Sequence, residues 1–227
     1  MYLLAIDTAT PTVSVAVARD GRVEAFMRLH SDRRHAEQLT PAIERCLAET
    51  GIAAGNLGAV AVGVGPGLFT GLRVGVTAAK TIAFARQIPV VGVSSLALVA
   101  WPLRFGSRTI VAVIDARRHE VFAAMYQPVP GGVQRTVEPA VIRPDELLAE
   151  LVARDEDVVL AGDGARVYQS VLAGYDHAEF AGPAFEAPSV DALVELATAR
   201  LEREDFENAA DLTPVYLRRV DAEEFTR

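Results

Sequence analysis

"YLLAIDTATPTVSVAVA", residues 2–18, and "TIVAVIDARRHEVFAAMY", residues 109–126, open the two halves of this chain in the same way. Each is a short apolar run that ends in an aspartate, turns, and returns as a second apolar run, the pattern of paired strands. Asp20-Gly21 is a strong hairpin signal, so "RVEAFMRL" (22–29) reads as a third strand. In "HAEQLTPAIERCLAETG" (35–51), apolar residues at 36, 39, 43, 46 and 47 mark one face of a helix that Gly51 ends. Pro41 must kink this helix or sit in its first turn with Thr40 as the cap. A buried strand (57–67), a helix over 71–87 and the strand "VVGVS" (90–94) complete the order βββαβαβ.

The second half repeats the plan. After Asp115 come "EVFAAMYQP" (120–128), a Gly131-Gly132 turn, "VQRTVEPAV" (133–141), a helix over 144–155, the strand "DVVLAGD" (157–163) and further helix. Two βββαβα halves predict an α/β fold built by duplicating a ribonuclease-H-like unit. The lobes are expected at 1–100 and 101–227, the second carrying a C-terminal helix and tail.

Of the 227 residues 51% are hydrophobic, enough for a sizeable core. The formal charge is −8, and the basic residues form only the pairs Arg33-Arg34, Arg117-Arg118 and Arg218-Arg219. A chain of this kind is not expected to grip a nucleic-acid backbone by itself. Its one cysteine, Cys46, excludes an intramolecular disulfide and fits a reducing compartment. An aspartate at position 7 is foreign to a signal peptide, and no run reaches membrane-span length. A cytosolic protein without membrane contact is expected.

The glycine-rich stretch "GVGPGLFTGLRVGVTAAK" (63–80) raises the possibility of a phosphate cradle. Its spacing rejects that. A P-loop needs four residues between its glycines and then Lys-Ser/Thr; Gly67 and Gly71 have three between them, followed by Leu72-Arg73. The dinucleotide fingerprint needs glycine where Leu68 stands. Gly71, Gly75, Ala79 and Ala83 instead fall at i, i+4, i+8 and i+12, a stripe that lets another backbone approach one helix face. Glycine in a helix costs about 1 kcal/mol relative to alanine, so a contact there matters. Its partner is either within the chain or on another molecule.

"AIDTATPTVSVAV" (5–17), "GPGLFTGLRVGVTAAK" (65–80), "PVVGVSSLALVA" (89–100), "IDARRHEVFAAMY" (114–126) and "PVYLR" (214–218) together resemble the TsaB (YeaZ) family, in the family's order and over nearly the whole chain. The resemblance implies the actin/sugar-kinase/Hsp70 superfamily fold. It also implies a part in forming N6-threonylcarbamoyladenosine at position 37 of tRNAs that read codons beginning with A. TsaB-family proteins work there beside their paralogue TsaD, which holds the catalytic metal, and the ATPase TsaE. ATP and metal are therefore expected in partner subunits, with no cofactor in this chain and tRNA met only through the complex. The rival expectation is an autonomous ATP-dependent enzyme of the sugar-kinase type.

The residues favour the first expectation. The catalytic paralogue carries His-x-x-x-His on a helix, two imidazoles one turn apart; here His35 is followed at that spacing by Leu39. The turn "DTATPT" keeps Asp7, Thr8 and Thr10 but has no glycine that would let backbone close on phosphate, and "DARRHE" after Asp115 fills the corresponding space with arginine. The four strand-end residues Asp7, Thr8, Thr10 and Asp115 are read as degenerate nucleotide-loop positions whose side chains serve the turns. Ser14, Ser94 and Ser95 lack a His–Asp arrangement, so no catalytic residue is expected. The partner interface, with TsaD or with a second copy in its absence, is expected on the two first-lobe helices, at His35, Leu39, Ile43, Gly71, Arg73, Gly75, Ala79, Lys80 and Ala83.

Overall fold

The computed structural model describes residues 1–31 and 34–217; of the arginine pairs, Arg33, Arg218 and Arg219 lie outside these residues. The first half runs β1 (Tyr2–Thr10), β2 (Thr12–Arg19), β3 (Arg22–His30), α1 (His35–Thr50), β4 (Leu57–Gly65), α2 (Phe69–Arg86), β5 (Val90–Ser94) and α3 (Ser95–Ala100). The second runs β6 (Thr109–Arg117), β7 (Glu120–Val129), β8 (Gly132–Ile142), α4 (Pro144–Arg154), β9 (Val158–Ala161), α5 (Asp163–Val167), α6 (Gln169–Leu172), β10 (Ala178–Phe180) and α7 (Val190–Glu202). The sheet orders are β3-β2-β1-β4-β5 and β10-β9-β6-β7-β8. Each is three antiparallel strands with two parallel ones added beside the first, so the expected duplication is present in three dimensions.

Strand β1 is buried on both faces, and its alternation divides the first core in two. Leu4 and Ile6 join Val13, Val15, Val60 and Val62 under α1 and α2. Leu3 and Ala5 join Ala16, Ala18, Ala59 and Ala61 on the opposite face, where five alanines let a helix lie close. The edge strand β3 alternates exposed and half-buried residues along its length, as a strand with one solvated face must.

Helix α1 starts earlier than the capping signals suggest. It begins at His35, so Thr40 is not its cap and Pro41 sits inside it. The buried face is His35, Leu39, Ala42, Cys46 and Leu47, while Ala36 is exposed. Pro41 deprives the Glu37 carbonyl of its helical bond, and both residues are on the solvent side, where water can satisfy it. Cys46 is 2% exposed and burial holds its thiol above the ordinary range; it packs as a small apolar residue.

The lobes do not divide the chain at residue 100. Val190, Leu193, Val194 and Ala197 of α7 cover the alanine-lined face of the first sheet. Reciprocally, Leu96, Val99 and Ala100 of α3 pack with Ile110, Ala112 and Ile114 of the second sheet. Helix α7 therefore belongs to the first lobe, while α3 lies between the two, Leu98 packing with the first sheet and Leu96, Val99 and Ala100 with the second. An apolar period identifies a helix face but not the sheet that will bury it.

Candidate functional site

The β1–β2 and β6–β7 turns meet at a cleft between the lobes. It encloses about 520 Å³ and is lined by Pro11, His35, Leu68, Phe69, Thr70 and Gly71 of the first lobe and Arg117 of the second.

Asp7 stands at the end of β1, 1% exposed. Its Oδ1 accepts from the Ala9 N–H at 3.0 Å, closing an Asx turn. Its Oδ2 accepts from the Ser95 hydroxyl at 2.9 Å, and Ser95 Oγ in turn accepts from the Gly65 N–H at 3.2 Å. The carboxylate therefore pins three segments together. It needs Gly63 to do so, because a Cβ there would lie 1.8 Å from Oδ2. Burial pushes the Asp7 carboxyl up to about 6, against the opposing pull of Ala9, Ser95 and Arg28.

A testable consequence is a pH-dependent cost. Between the unfolded value of 3.8 and the folded value of about 6, the native state holds the proton and the unfolded chain does not. Asp7 contributes most to stability below pH 3.8, and that contribution is lost as pH rises through 6, a swing of roughly 3 kcal/mol at ~1.4 kcal/mol per unit. Asp7→Asn keeps the shape and removes the titration. Urea unfolding is expected to show the variant gaining roughly 2–3 kcal/mol relative to wild type between pH 4 and pH 7.5; a difference that does not change with pH contradicts this account.

Thr8 and Thr10 are spent on packing as well. The Thr8 hydroxyl donates to the Gly71 carbonyl at 2.7 Å, and the Thr10 carbonyl accepts from His35 Nε2 at 2.8 Å. Thr10 Oγ1 and His35 Nδ1 are buried without hydrogen-bond partners. In the second lobe Asp115 Oδ1 accepts from the Arg117 N–H at 2.9 Å, and its Oδ2 pairs with the Arg117 guanidinium at 3.2 Å. Arg117, Arg118 and His119 all have positive φ, 62°, 55° and 59°, a tight hairpin turn made without glycine at the usual cost in strain. Asp163, beside this turn, donates nothing but accepts from the Asp115 N–H at 3.1 Å; burial pushes its carboxyl up to about 6. Sequence reading missed Asp163, although the "GDG" following a strand was a signal. All four expected turn positions thus lie at the two strand ends, with their polar groups engaged mainly inside the fold.

The expected interface residues divide. His35, Leu39, Gly71, Gly75, Ala79 and Ala83 are buried within the chain and, apart from the cleft wall at His35 and Gly71, offer no partner surface, which corrects their assignment to an interface on the helices. The glycines of the stripe face β1 most closely: a Cβ at Gly71 would lie 2.1 Å from the Thr8 carbonyl oxygen and 3.3 Å from His35 Nε2 of α1, and one at Gly75 2.2 Å from Thr8 Oγ1. Ile43 is half-buried against the same core. Lys80 turns back into the chain, its Nζ donating to the carbonyls of Ala210 and Leu212 at 3.2 and 2.8 Å. Arg73 alone of the set is exposed, its guanidinium 4.8 Å from the centre of the Phe69 ring. On the outer face of α2, Phe84 is 70% exposed. Among the described residues no helix is long and apolar enough to cross a membrane.

The family described as TsaD, tRNA N6-adenosine threonylcarbamoyltransferase, matches residues 29–225. The chain is 36% identical to the tRNA threonylcarbamoyladenosine biosynthesis protein TsaB of Escherichia coli over 168 residues, 72% of each protein. It is 32% identical to the TsaB of Bacillus subtilis over 230 aligned positions, 98% of this chain and 96% of that protein. The solved structure of YeaZ from Pseudomonas aeruginosa superposes with a TM-score of 0.81 at 33% identity, covering 95% of this chain and 99% of that one. A putative N-acetylglucosamine kinase from Porphyromonas gingivalis, 9% identical, superposes with a TM-score of 0.50 over 88% of this chain and 99% of that one, a likeness of fold alone.

Proposed function

We propose, for a chain that belongs to the TsaB family, that it acts in tRNA threonylcarbamoyladenosine biosynthesis as a partner subunit with no catalytic site of its own. It pairs with a TsaD-type subunit through the outer face of its first-lobe helices, and with a second copy of itself when that subunit is absent. The complex, joined by a TsaE-type ATPase, transfers the threonylcarbamoyl group to N6 of adenosine 37 in tRNAs reading codons that begin with A. ATP and the catalytic metal are held by the partners, and tRNA is met only in the complex, in keeping with a charge of −8.

The observation that carries this reading is the engagement of the strand-end polar groups beside the cleft. Both carboxylate oxygens of Asp7 and the Thr8 hydroxyl are tied to the chain's own groups, and Arg117 is folded onto Asp115 at the cleft wall. A phosphate seated against Asp7, Thr8 or Asp115 would have to break these contacts first. The deciding experiment mixes the chain with the TsaD- and TsaE-type proteins of the same source and assays threonylcarbamoylation of tRNA. Co-elution with the TsaD-type protein and modification that depends on this chain are expected. Modification by the other two alone, or ATP turnover by this chain alone at the rate of the full set, refutes the reading.

A further inference from the structure

Lys80 is the only lysine in the chain; every other basic side chain is arginine. Its ammonium serves the segment that leaves α7 and runs back across the first lobe. Glu207 makes a one-residue bridge to Val90 on the outer edge of β5, its N–H donating to the Val90 carbonyl at 2.9 Å and its carbonyl accepting from Val90 at 3.2 Å. Arg200 reinforces the start of this run, reaching the Gly92 carbonyl at 2.7 Å and the carboxylates of Asp205 and Glu207. Lys80 then holds the carbonyls of Ala210 and Leu212, and the Leu212 side chain enters the first core, 3% exposed. An ammonium presents its donors in three directions, which suits two carbonyls of one passing strand better than the planar fork of arginine.

Past that clasp the segment stays on the first lobe through Tyr216 and reaches the second at Leu217. The Val215 N–H donates to the Val64 carbonyl at 2.8 Å, Tyr216 packs on Phe69 with ring centres 5.0 Å apart, and Leu217 packs against the core of the second lobe. Val215 and Leu217 border a cavity of about 240 Å³ whose other walls are Gly65, Pro66 and Ser94 from one lobe and Arg135, Glu138 and Pro139 from the other. The lobes are thus attached twice: once at α3, which packs on both sheets, and again through this segment at the far end of β4. A single attachment permits rotation of one lobe on the other; two separated attachments remove that freedom.

We propose that residues 203–217 are a strap that fixes the two lobes at one opening, with Lys80 and Leu212 as its clasp, so that the cleft does not hinge. The strap holds by few contacts at its end, since Val215 and Tyr216 are both about two-fifths exposed (41% and 42%), and loosening the clasp is enough to free it.

The test uses the full chain with spin labels at Thr77→Cys on α2 and Val152→Cys on α4, Cys46 being buried and left in place. Wild type is expected to give one narrow distance distribution. Lys80→Met is expected to speed hydrogen exchange at the Val215 amide at least tenfold, to leave the Glu207 amide within about twofold, and to widen the distance distribution. Leu212→Ala, a second and independent way to open the clasp, is expected to do the same. A broad distribution in wild type overturns the proposal. So does unchanged exchange at Val215 in both variants, and so does faster exchange with an unchanged distance, because the strap then lies on the fold without locking it.

Discussion

Gly71→Ala is expected to destabilise this protein by about 3 kcal/mol or more, although alanine is the better helix former by about 1 kcal/mol. The new Cβ would sit 2.1 Å from the Thr8 carbonyl oxygen, a backbone atom at the bulged end of β1, where Thr8 and Ala9 are tied to the start of α2 by the bonds to the Gly71 carbonyl and from the Leu68 N–H. Neither α2 nor β1 can yield without unsettling the core between them. For a chain of this size the melting temperature should fall by roughly 6–12 °C. Gly75→Ala meets a different obstacle, the Thr8 hydroxyl at 2.2 Å, which a rotamer change can remove at the cost of its bond to the Gly71 carbonyl. Thr8→Ala should therefore rescue Gly75→Ala, with a coupling above about 1 kcal/mol, and should not rescue Gly71→Ala. Urea unfolding of the two double variants decides the matter; equal rescue of both, or none, would show that the stripe is not seated on Thr8 as described.

Arg73→Glu should separate the partners while leaving the fold intact. Arg73 is the fifth residue of α2, exposed and just past its first turn, where a positive side chain still opposes the helix dipole weakly and a negative one suits it. Reversing the charge is expected to leave the melting temperature unchanged or slightly raised. If the outer face of α2 meets a TsaD-type subunit, the same change removes an arginine from the contact and sets a carboxylate in its place. Arginine is enriched among the residues that dominate interfaces, and a loss of at least tenfold in affinity, about 1.4 kcal/mol, is expected by calorimetry, with tRNA modification falling in parallel. Undiminished affinity in a folded variant removes this helix face from the interface.

Much of this was legible in the sequence. Both sheets, the strand-end aspartates and the hairpins follow from local runs and turn residues, because strand alternation and left-handed turn positions are written within a few residues of one another. The contacts of small residues were not. Gly71 and Gly75 announce that something approaches closely, but the approaching group is Thr8, 63 positions away from Gly71, and a stripe without side chains carries no mark of its partner. Lys80 reads as a surface cation until the chain some 130 residues later returns to it. His35 is expected at a partner interface, and only the packing of α1 on the end of β1 buries it. Long-range contacts of this kind leave no periodic trace.

The return of α7 to the first lobe has a consequence for how the protein is made. One whole face of the first sheet, with Leu3, Ala5, Ala16, Ala18, Ala59, Ala61, Val91 and Val93, is covered by Val190, Leu193, Val194 and Ala197. A ribosome adds about 5–20 residues per second, so several seconds separate the synthesis of β5 from that of α7. Throughout that interval the nascent first lobe has its strands, but beyond Leu98 and Trp101 it has no native cover for this face. The N-terminal half therefore cannot finish as an independent unit on the ribosome. Its burial waits for nearly the last helix to be translated, and in the meantime the task of keeping that apolar face from other chains falls to the cell's chaperones or to non-native contacts.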